Sequence, residues 1–199
     1  MKAMSKHPEH DTREHLLATG EQLCLRLGFT GMGLSELLRT AGVPRGSFYH
    51  YFRSKESFGV EMLKRYYTAA NQRMRDAFAR GETPASTLLL DWYRQALEHF
   101  CHSGMIGNCL TVKLSAEVCD LSEEMREALE QGSSQVIAML ARLITRAQQE
   151  EGLMKEDDPL SLANALYALW LGASLQAKIS RSAIPLESAQ TQVSRLLRG

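Results

Sequence analysis

The sequence predicts an all-α protein. Apolar residues recur at helical spacing through almost every segment, and no segment alternates polar and apolar residues for long enough to predict a strand. Capping residues, prolines and glycines stand between these segments, as they do at helix ends. The chain has 199 residues, of which 44% are hydrophobic. It can therefore bury the core of one sizeable domain, or of a small domain packed on a larger one.

The predicted helices follow one another with short connections. Asp11 and Glu14 have the spacing of a capping box at the start of the first helix, and Gly28 is its expected stop. Ser54 is the expected cap of the fourth helix, and Asp158 followed by Pro159 begins the eighth. In order, the predicted helices cover residues 11–27, 34–40, 45–52, 54–80, 84–102, 108–119, 120–152 and 158–179, and a last short helix follows Pro185.

Residues 33–52 have the pattern of a helix-turn-helix. Two short helices flank a turn that contains Gly42, and in such motifs the second helix enters the major groove of DNA. Phe48, Tyr51 and Phe52 fall at positions i, i+3 and i+4 of that helix, which predicts that they face inward. The residues left on the outward face are Arg45, Ser47, Tyr49, His50 and Arg53.

Two cations lie where helix physics alone does not favour them. Arg45 is at the start of the third predicted helix and Lys55 is in the first turn of the fourth, so both oppose the helix dipole. A phosphate docked on these helix ends would make the arrangement favourable, since the backbone N–H groups and the cation would then both face an anion. A solvated surface charge is the alternative, but position, outward aromatics and turn chemistry together favour DNA contact.

The segment GFTGMGLSELLRTAGVPRGSFYHYFRSKESF, residues 28–58, resembles the DNA-binding segment of the TetR family of repressors. In that family a Gly-Val turn precedes a Lys/Arg-Gly-Ser/Thr-Phe/Leu-Tyr-His-Tyr-Phe helix and then Ser-Lys-Glu. The resemblance implies a three-helix DNA-binding domain over 11–58 and a helical ligand-sensing and dimerisation domain over 59–199. The DNA-contacting residues that it implies are Arg45, Gly46, Ser47, Tyr49, His50 and Lys55, with Tyr49, His50 and Lys55 mainly on phosphates.

Two positions depart from the family pattern. Met32 and Gly33 stand where the family often has Thr and Ser, which removes an expected phosphate contact. Pro44 stands where the family commonly has a capping Ser or Thr before the recognition helix. A proline there keeps a rigid helix start but provides no side-chain cap.

Residues 160–179 are apolar on nearly every side, which a surface helix does not tolerate. One face must be buried in the chain's own core and another elsewhere, and Gly172, Ala173 and Ala177 would allow close helix approach. The family resemblance implies that the last two helices pair into a four-helix bundle across a two-fold axis. A homodimer also suits double-stranded operator DNA, whose half-sites are read by paired recognition helices.

Cys109 is the cysteine whose surroundings predict reactivity. Asn108 would cap the helix and place Cys109 in its first turn, where the helix dipole stabilises a thiolate. Lys113, four residues on, adds a second favourable charge. A buried, unreactive thiol is the alternative for Cys109. The other cysteines are predicted to be structural, or at most resolving thiols: Cys24, Cys101 and Cys119.

The segments GMIGNCLTVKLSAEVCDLSEEMR and LYALWLGASLQAKISRS resemble TetR-family repressors that respond to N-ethylmaleimide. That resemblance implies release from DNA by a reactive electrophile or oxidant at cysteine, and control of detoxifying reductase genes. Lys178 lies on the apolar stripe of Leu171 and Leu175, where it either snorkels at the helix end or has a partner. One hypothesis is a bond between oxidised Cys109 and the Lys178 amine, which would shift the dimer to a conformation that fits DNA poorly.

Two other functions compete with a thiol-sensing repressor. A repressor induced by a noncovalently bound small molecule would need an apolar pocket. The aromatic residues that could line one are Trp92, Tyr93, Phe100, Tyr167 and Trp170. A helical thiol enzyme with Cys109 as nucleophile would need a base, and His99 and His102 show no recognisable partner pattern. The sequence therefore predicts a regulator and not an enzyme.

Composition and spacing argue against several other classes. The net charge is zero, with eight Lys/Arg and six Asp/Glu in residues 1–60, which disfavours nonspecific coating of nucleic acid or membrane. No apolar run has the length of a transmembrane helix, and the N-terminus lacks the apolar core of a signal peptide. We therefore expect a cytoplasmic protein with no membrane partner. The cysteines and histidines lack zinc-ligand spacing, so we expect neither a metal nor a cofactor.

Overall fold

The computed structural model describes residues 8–79, 81–103 and 110–198. These residues form nine α-helices and contain no strand, which confirms the all-α prediction. The helices are α1 Pro8–Gly31, α2 Leu34–Ala41, α3 Arg45–Tyr51, α4 Lys55–Phe78, α5 Ala85–Ser103, α6 Leu110–Val118, α7 Glu123–Glu151, α8 Pro159–Ser180 and α9 Ile184–Arg198. The chain divides into two compact units, the first within Met1–Thr68 and Lys113–Gly132 and the second within Ala69–Val112 and Ser133–Gly199.

The first helix starts earlier than the sequence predicts. α1 begins at Pro8, whose fixed φ suits a first helical turn. The predicted start at Asp11 is therefore wrong, and Asp11 lies inside the helix. The predicted stop at Gly28 is confirmed, because its backbone (φ 79°, ψ 172°) breaks the helical path. One further turn follows, closed by the Met32 N–H donating to the Gly28 carbonyl at 3.2 Å.

The connection between α2 and α3 is a tight left-handed turn. Gly42 has φ 65° and ψ 28°, a conformation that glycine adopts at little cost. The N–H groups of Gly42 and Val43 donate to the carbonyls of Arg39 and Leu38, at 3.4 and 3.1 Å, and close the end of α2. Pro44 then precedes α3 without a side-chain cap, as its sequence predicts.

The start of α4 is capped, and ion pairs join this helix to α1. The N–H of Ser57 donates to Ser54 Oγ and the N–H of Ser54 donates to Ser57 Oγ, both at 3.0 Å, which confirms the predicted cap. Further along, Arg65 donates to Glu14 at 2.5 Å and also pairs with Glu21. Because these side chains are partly exposed, each pair stabilises the fold by at most about 1 kcal/mol.

The second unit has a core built from α4, α5, α7, α8 and α9. Asp158 accepts the Ser161 N–H at 2.7 Å and Pro159 occupies the first turn, which confirms the predicted start of α8. One side of α8 is buried, including Ala173 and Ala177. None of the described helices, α8 included, is long and apolar enough to cross a membrane.

Two other helix ends differ from the sequence prediction. α7 begins after Ser122, whose Oγ accepts the Met125 N–H at 3.2 Å, so the predicted start at Asp120 is wrong. α9 spans 15 residues from Ile184, so the short last helix predicted after Pro185 is wrong in length. Val193 of α9 is fully buried in the core of the second unit. The other buried residues of α9 are at helical spacing with it: Leu186, Ala189 and Leu197. The helix therefore has a continuous apolar face over its whole length.

Candidate DNA-binding site and sensor helix

Aromatic packing fixes the orientation of α3. Phe48 is fully buried and Phe52 is 2% exposed. Their ring centroids lie 5.6 and 5.0 Å from that of Phe58 in the first turns of α4. Tyr51, the third residue predicted to face inward, is only half-buried, with its ring centroid 4.9 Å from that of His50. A helix of seven residues is too short to be stable alone, so these aromatic contacts decide which side faces out.

The outer side of α3 carries the side chains predicted to contact DNA. Arg45, Gly46, Tyr49 and His50 are exposed, and Ser47 is half-buried. The Arg45 guanidinium carbon lies 5.8 Å from the Tyr49 ring centroid, a cation–π contact that keeps both side chains on one surface. This surface offers a cation, two hydroxyls and an imidazole, which are groups that bond phosphates and base edges.

Lys55, the last residue of the predicted DNA-contacting set, is half-buried at the start of α4. Its Nζ lies 4.7 Å from the Phe29 ring centroid and 3.5 Å from the Thr30 carbonyl oxygen. Partial burial lowers the pKa of Lys55 from its ordinary value, while Cys24 and Glu117 act in the opposite direction. The ammonium group of Lys55 therefore contacts the last turn of α1.

Glu117 on α6 closes that same turn of α1. Its carboxylate accepts the N–H groups of Phe29 at 3.0 Å and Thr30 at 2.5 Å. A Cβ at position 28 would lie 2.7 Å from Glu117 Oε2. Glycine is therefore favoured here for two reasons, because it adopts the positive φ at little cost and because it leaves room for the carboxylate. Burial alone would raise the pKa of Glu117, but hydrogen bonds from Thr30 and Phe29 and the charge of Lys113 hold it below its ordinary value.

The contacts of α6 with α1 are ones that the sequence did not predict. Besides the bonds to Glu117, the Nζ of Lys113 lies 3.5 Å from the Arg26 carbonyl oxygen. Each of these partners is 87 or 88 residues away in sequence. Periodicity and capping patterns act over a few residues, so no local signal could have indicated Glu117.

The predicted sensor residues lie in different parts of the chain. Cys109 and its predicted cap Asn108 lie outside the described residues. Lys113, predicted to support Cys109, is half-buried against the end of α1, as described above. Lys178 is exposed in the last turn of α8.

The chain matches known proteins over nearly its whole length. Residues 16–62 match the bacterial regulatory proteins of the tetR family, and residues 87–193 match the tetracyclin repressor-like C-terminal domain. The chain is 59% identical over 194 residues to the HTH-type transcriptional repressor NemR of Escherichia coli strain K12, which covers 98% of each chain. The chain belongs to the tetR family.

Solved structures agree with this membership. The crystal structure of the reduced form of E. coli NemR has a TM-score of 0.89 and 57% identity, and the match covers 94% of this chain and 96% of that one. A transcriptional regulator of the TetR/AcrR family has a TM-score of 0.84 and 39% identity, with 94% and 99% covered. Membership of the tetR family confirms the prediction of a DNA-binding repressor with an N-terminal helix-turn-helix. It also confirms the prediction that the protein is a transcriptional regulator and not an enzyme.

The described thiols of this tetR-family chain differ in access. Cys24 is fully buried, with its Sγ 3.8 Å from the Met32 Sδ. Burial raises the pKa of Cys24 to about 12, although the nearby charge of Lys55 opposes the shift. Cys101 is exposed and Cys119 is half-buried. Among the described residues, no group of three or more His, Cys, Asp or Glu side chains is arranged to hold a metal ion.

The second unit of this tetR-family chain contains a groove of about 390 Å³. Three arginines and four mainly apolar residues line it: Arg75, Arg142, Arg146, Phe78, Ala79, Met139 and Leu143. None of the five aromatic residues suggested for a ligand pocket is among them. Of those five, Tyr93 is 2% exposed and its ring centroid lies 4.9 Å from that of Trp170. These two aromatics therefore pack in the core.

We expect N-ethylmaleimide to modify Cys101 well before Cys24 in the folded protein. The thiolate is the reactive form, and Cys24 is both inaccessible and held protonated by burial. Peptide mass spectrometry after limiting treatment near neutral pH measures the order of modification, and unfolding in guanidinium should remove the difference. Equal modification of the two thiols in the folded protein would contradict the burial of Cys24.

Proposed function

We propose that this tetR-family chain binds two half-sites of double-stranded operator DNA as a homodimer, and that modification of Cys109 by a reactive electrophile or oxidant releases it. The observation that carries DNA binding is the exposed side of α3, where Arg45, Tyr49 and His50 project from a helix held by buried aromatic rings. The thiol switch is supported by the sequence around Cys109 and by the 59% identity to NemR. Such a repressor would act in the cytoplasm, where its operator lies.

In this proposal α3 is the recognition helix and lies in the major groove. Arg45, Gly46 and Ser47 are in its first turn, the part of a recognition helix that meets base edges. Tyr49, His50 and Lys55 would bond phosphates and set the register of the protein on the duplex. The positive end of the α4 dipole would add to the charge of Lys55.

The homodimer is supported by the apolar residues that the last two helices leave exposed. The exposed fractions are 55% for Leu160, 47% for Leu175, 68% for Ile179, 67% for Ile184 and 44% for Leu196. Single exposed apolar residues are common, but several on two consecutive helices indicate an interaction surface. A Cβ built on Gly172 meets no other atom within 4 Å, so a second helix can approach closely there. We propose that α8 and α9 of two subunits form a four-helix bundle.

The switch would use the chemistry of a thiolate at a helix start. An electrophile such as N-ethylmaleimide would be attacked at its alkene carbon by Cys109, with a proton from water completing the addition. A peroxide would instead oxidise Cys109 to a sulfenic acid with loss of its leaving oxygen as water or alcohol. The neutral Lys178 amine could then attack the sulfur, form an S–N bond and release water. Lys113, in the first turn of α6, would favour the thiolate by its charge, while its Nζ also lies 3.5 Å from the Arg26 carbonyl oxygen.

A noncovalently bound inducer is the competing proposal. The groove lined by Arg75, Arg142 and Arg146 has a volume of about 390 Å³, within the range of small-molecule sites. Arg146 is paired with Glu150 at 2.8 Å, so an acidic ligand would be met mainly by Arg75 and Arg142. A response to oxidant that a thiol reductant reverses favours the cysteine switch, whereas a response that is insensitive to reductant favours the noncovalent ligand.

We expect Arg45→Met to weaken binding to DNA from upstream of the protein's own gene by about tenfold or more, the value of one specific contact. Arg73→Met is the matched control, because Arg73 is also exposed but lies on α4 within the second unit. Fluorescence anisotropy with a labelled duplex gives both dissociation constants. Wild-type affinity in Arg45→Met, or equal losses in both variants, would contradict the assignment of α3.

We expect N-ethylmaleimide to release wild-type protein and Cys101→Ser from operator DNA but to leave Cys109→Ser bound. Gel-shift or anisotropy measurements before and after treatment provide the comparison. Equal loss in Cys109→Ser would move the sensor to Cys101 or Cys119. Binding that survives treatment of the wild type would favour the noncovalent inducer.

Lys178→Met separates the two chemical routes. We expect this variant to respond normally to N-ethylmaleimide, since alkylation needs no amine partner, but to be released less readily by peroxide. An unchanged peroxide response would show that Lys178 takes no part in the switch.

We expect Ile179→Glu to convert the dimer to a monomer, because the substitution would bury a carboxylate in an apolar interface. Light scattering coupled to size-exclusion chromatography measures the mass. Leu121→Glu is the matched control, since Leu121 is 62% exposed but belongs to the first unit. A dimer of unchanged affinity in Ile179→Glu would place the interface elsewhere.

A further inference from the structure

The last turn of α1 is held by two side chains of α6. The non-helical backbone of Gly28 interrupts the hydrogen-bond ladder, so the next N–H groups need acceptors outside the helix. Glu117 provides them, at 3.0 Å from Phe29 and 2.5 Å from Thr30. Before the break, the Arg26 carbonyl lies 3.5 Å from the Lys113 ammonium nitrogen. The anion thus meets open N–H groups and the cation meets an open carbonyl.

Lys55 contacts the same two residues from α4. Its Nζ lies 3.5 Å from the Thr30 carbonyl oxygen and 4.7 Å from the centroid of the Phe29 ring. Thr30 is therefore bonded to Glu117 through its N–H and to Lys55 through its carbonyl. An ammonium group has three N–H donors, and the Thr30 carbonyl accepts one of them, so Lys55 can still donate to a phosphate. The Thr30 carbonyl and the Phe29 ring together hold the Lys55 side chain, and these two contacts are called the Lys55 seat below.

We propose that Glu117 is a positioning residue for operator binding, which acts through Phe29 and Thr30 to hold the Lys55 ammonium at the start of α4. This inference rests on the proposed phosphate contact of Lys55. A lysine side chain has a long flexible stem, and ordering it when DNA binds costs conformational entropy. The Lys55 seat orders the side chain in the free protein, so less conformational entropy is lost when DNA binds.

The direction of the change in DNA affinity on substitution of Glu117 separates a positioning role from simple charge repulsion. Glu117 is an anion in the DNA-binding unit, so loss of its charge would by itself strengthen binding to a polyanion. Loss of a positioning residue weakens binding instead. Glu117→Gln keeps the side-chain length but replaces one acceptor oxygen with an amide donor. Glu117→Asp keeps the charge but is one methylene shorter, so it cannot reach both N–H groups in the same way.

The test measures operator affinity as a function of salt concentration for the wild type, Glu117→Gln, Glu117→Asp, Lys55→Met and the Glu117→Gln/Lys55→Met double variant. Glu127→Gln is the matched control, because Glu127 is exposed on α7 in the same unit. Log affinity falls linearly with log salt, and each lost phosphate contact reduces the magnitude of this slope by about 0.9. The slopes compared below are these magnitudes. Thermal unfolding of every variant identifies any that fails to fold, and Glu117→Asp then replaces Glu117→Gln.

We expect Lys55→Met to weaken binding about tenfold and to lower the slope by about 0.9. Glu117→Gln and Glu117→Asp should weaken binding by roughly three- to tenfold and lower the slope in the same direction, and the double variant should be no weaker than Lys55→Met. Glu127→Gln should match the wild type. If Glu117 had only a structural role, its variants would unfold at a lower temperature but keep the wild-type slope. Their loss of operator affinity would then add to that of Lys55→Met in the double variant.

Two results overturn the inference, and they are distinguishable. If Lys55→Met leaves the slope unchanged, Lys55 does not contact phosphate, and that part of the proposed function fails together with the seat. If Lys55→Met lowers the slope but the Glu117 variants keep the wild-type slope or bind more tightly, the phosphate contact stands and the positioning role of Glu117 is wrong.

Discussion

The burial of Phe48 is the interaction on which the proposed DNA-binding surface depends. A seven-residue helix has no stability of its own, because the cost of nucleating it exceeds what so few hydrogen bonds return. Packing of Phe48 with Phe52 and Phe58 therefore both forms α3 and selects its outer side. Arg45 and Tyr49 are exposed because the other side of the same helix is buried.

A second constraint is the break in α1. If Gly28 continued the helix, the N–H groups of Phe29 and Thr30 would be used within it, and a carboxylate from α6 would have nothing to bond. The break leaves these donors open, and Glu117 accepts them. Both side chains that meet the end of α1, Glu117 and Lys113, come from α6, so this one short helix supplies both charges at the break.

The charge distribution explains why the position of single cations matters in this protein. The net charge is zero, so no strong overall field draws the chain to DNA. In the proposed complex, affinity for an operator would depend on a small number of well-placed contacts, and each would contribute a large part of the binding free energy. Lys55 is half-buried and bound to α1, so its location is set before DNA binds. An exposed and flexible lysine would have to be ordered in the complex.

The sequence by itself determined the helical class, the helix-turn-helix, the stop at Gly28, the caps at Ser54 and Asp158, and the two faces of α3. All of these depend on residues within one or two helical turns of one another, where spacing dictates which side chains share a face and which backbone groups need a cap. The predicted starts of α1 and α7 are wrong because Pro8 and the cap Ser122, which are also local signals, begin these helices. The predicted length of α9 is wrong because its apolar face continues to Leu197. Only the tertiary structure decided that Glu117 and Lys113 meet the end of α1, and that Lys55 rests on Phe29 and Thr30. The physical reason is distance along the chain: α6 meets α1 across 87 or 88 residues, and such a contact exists only after the intervening helices have packed.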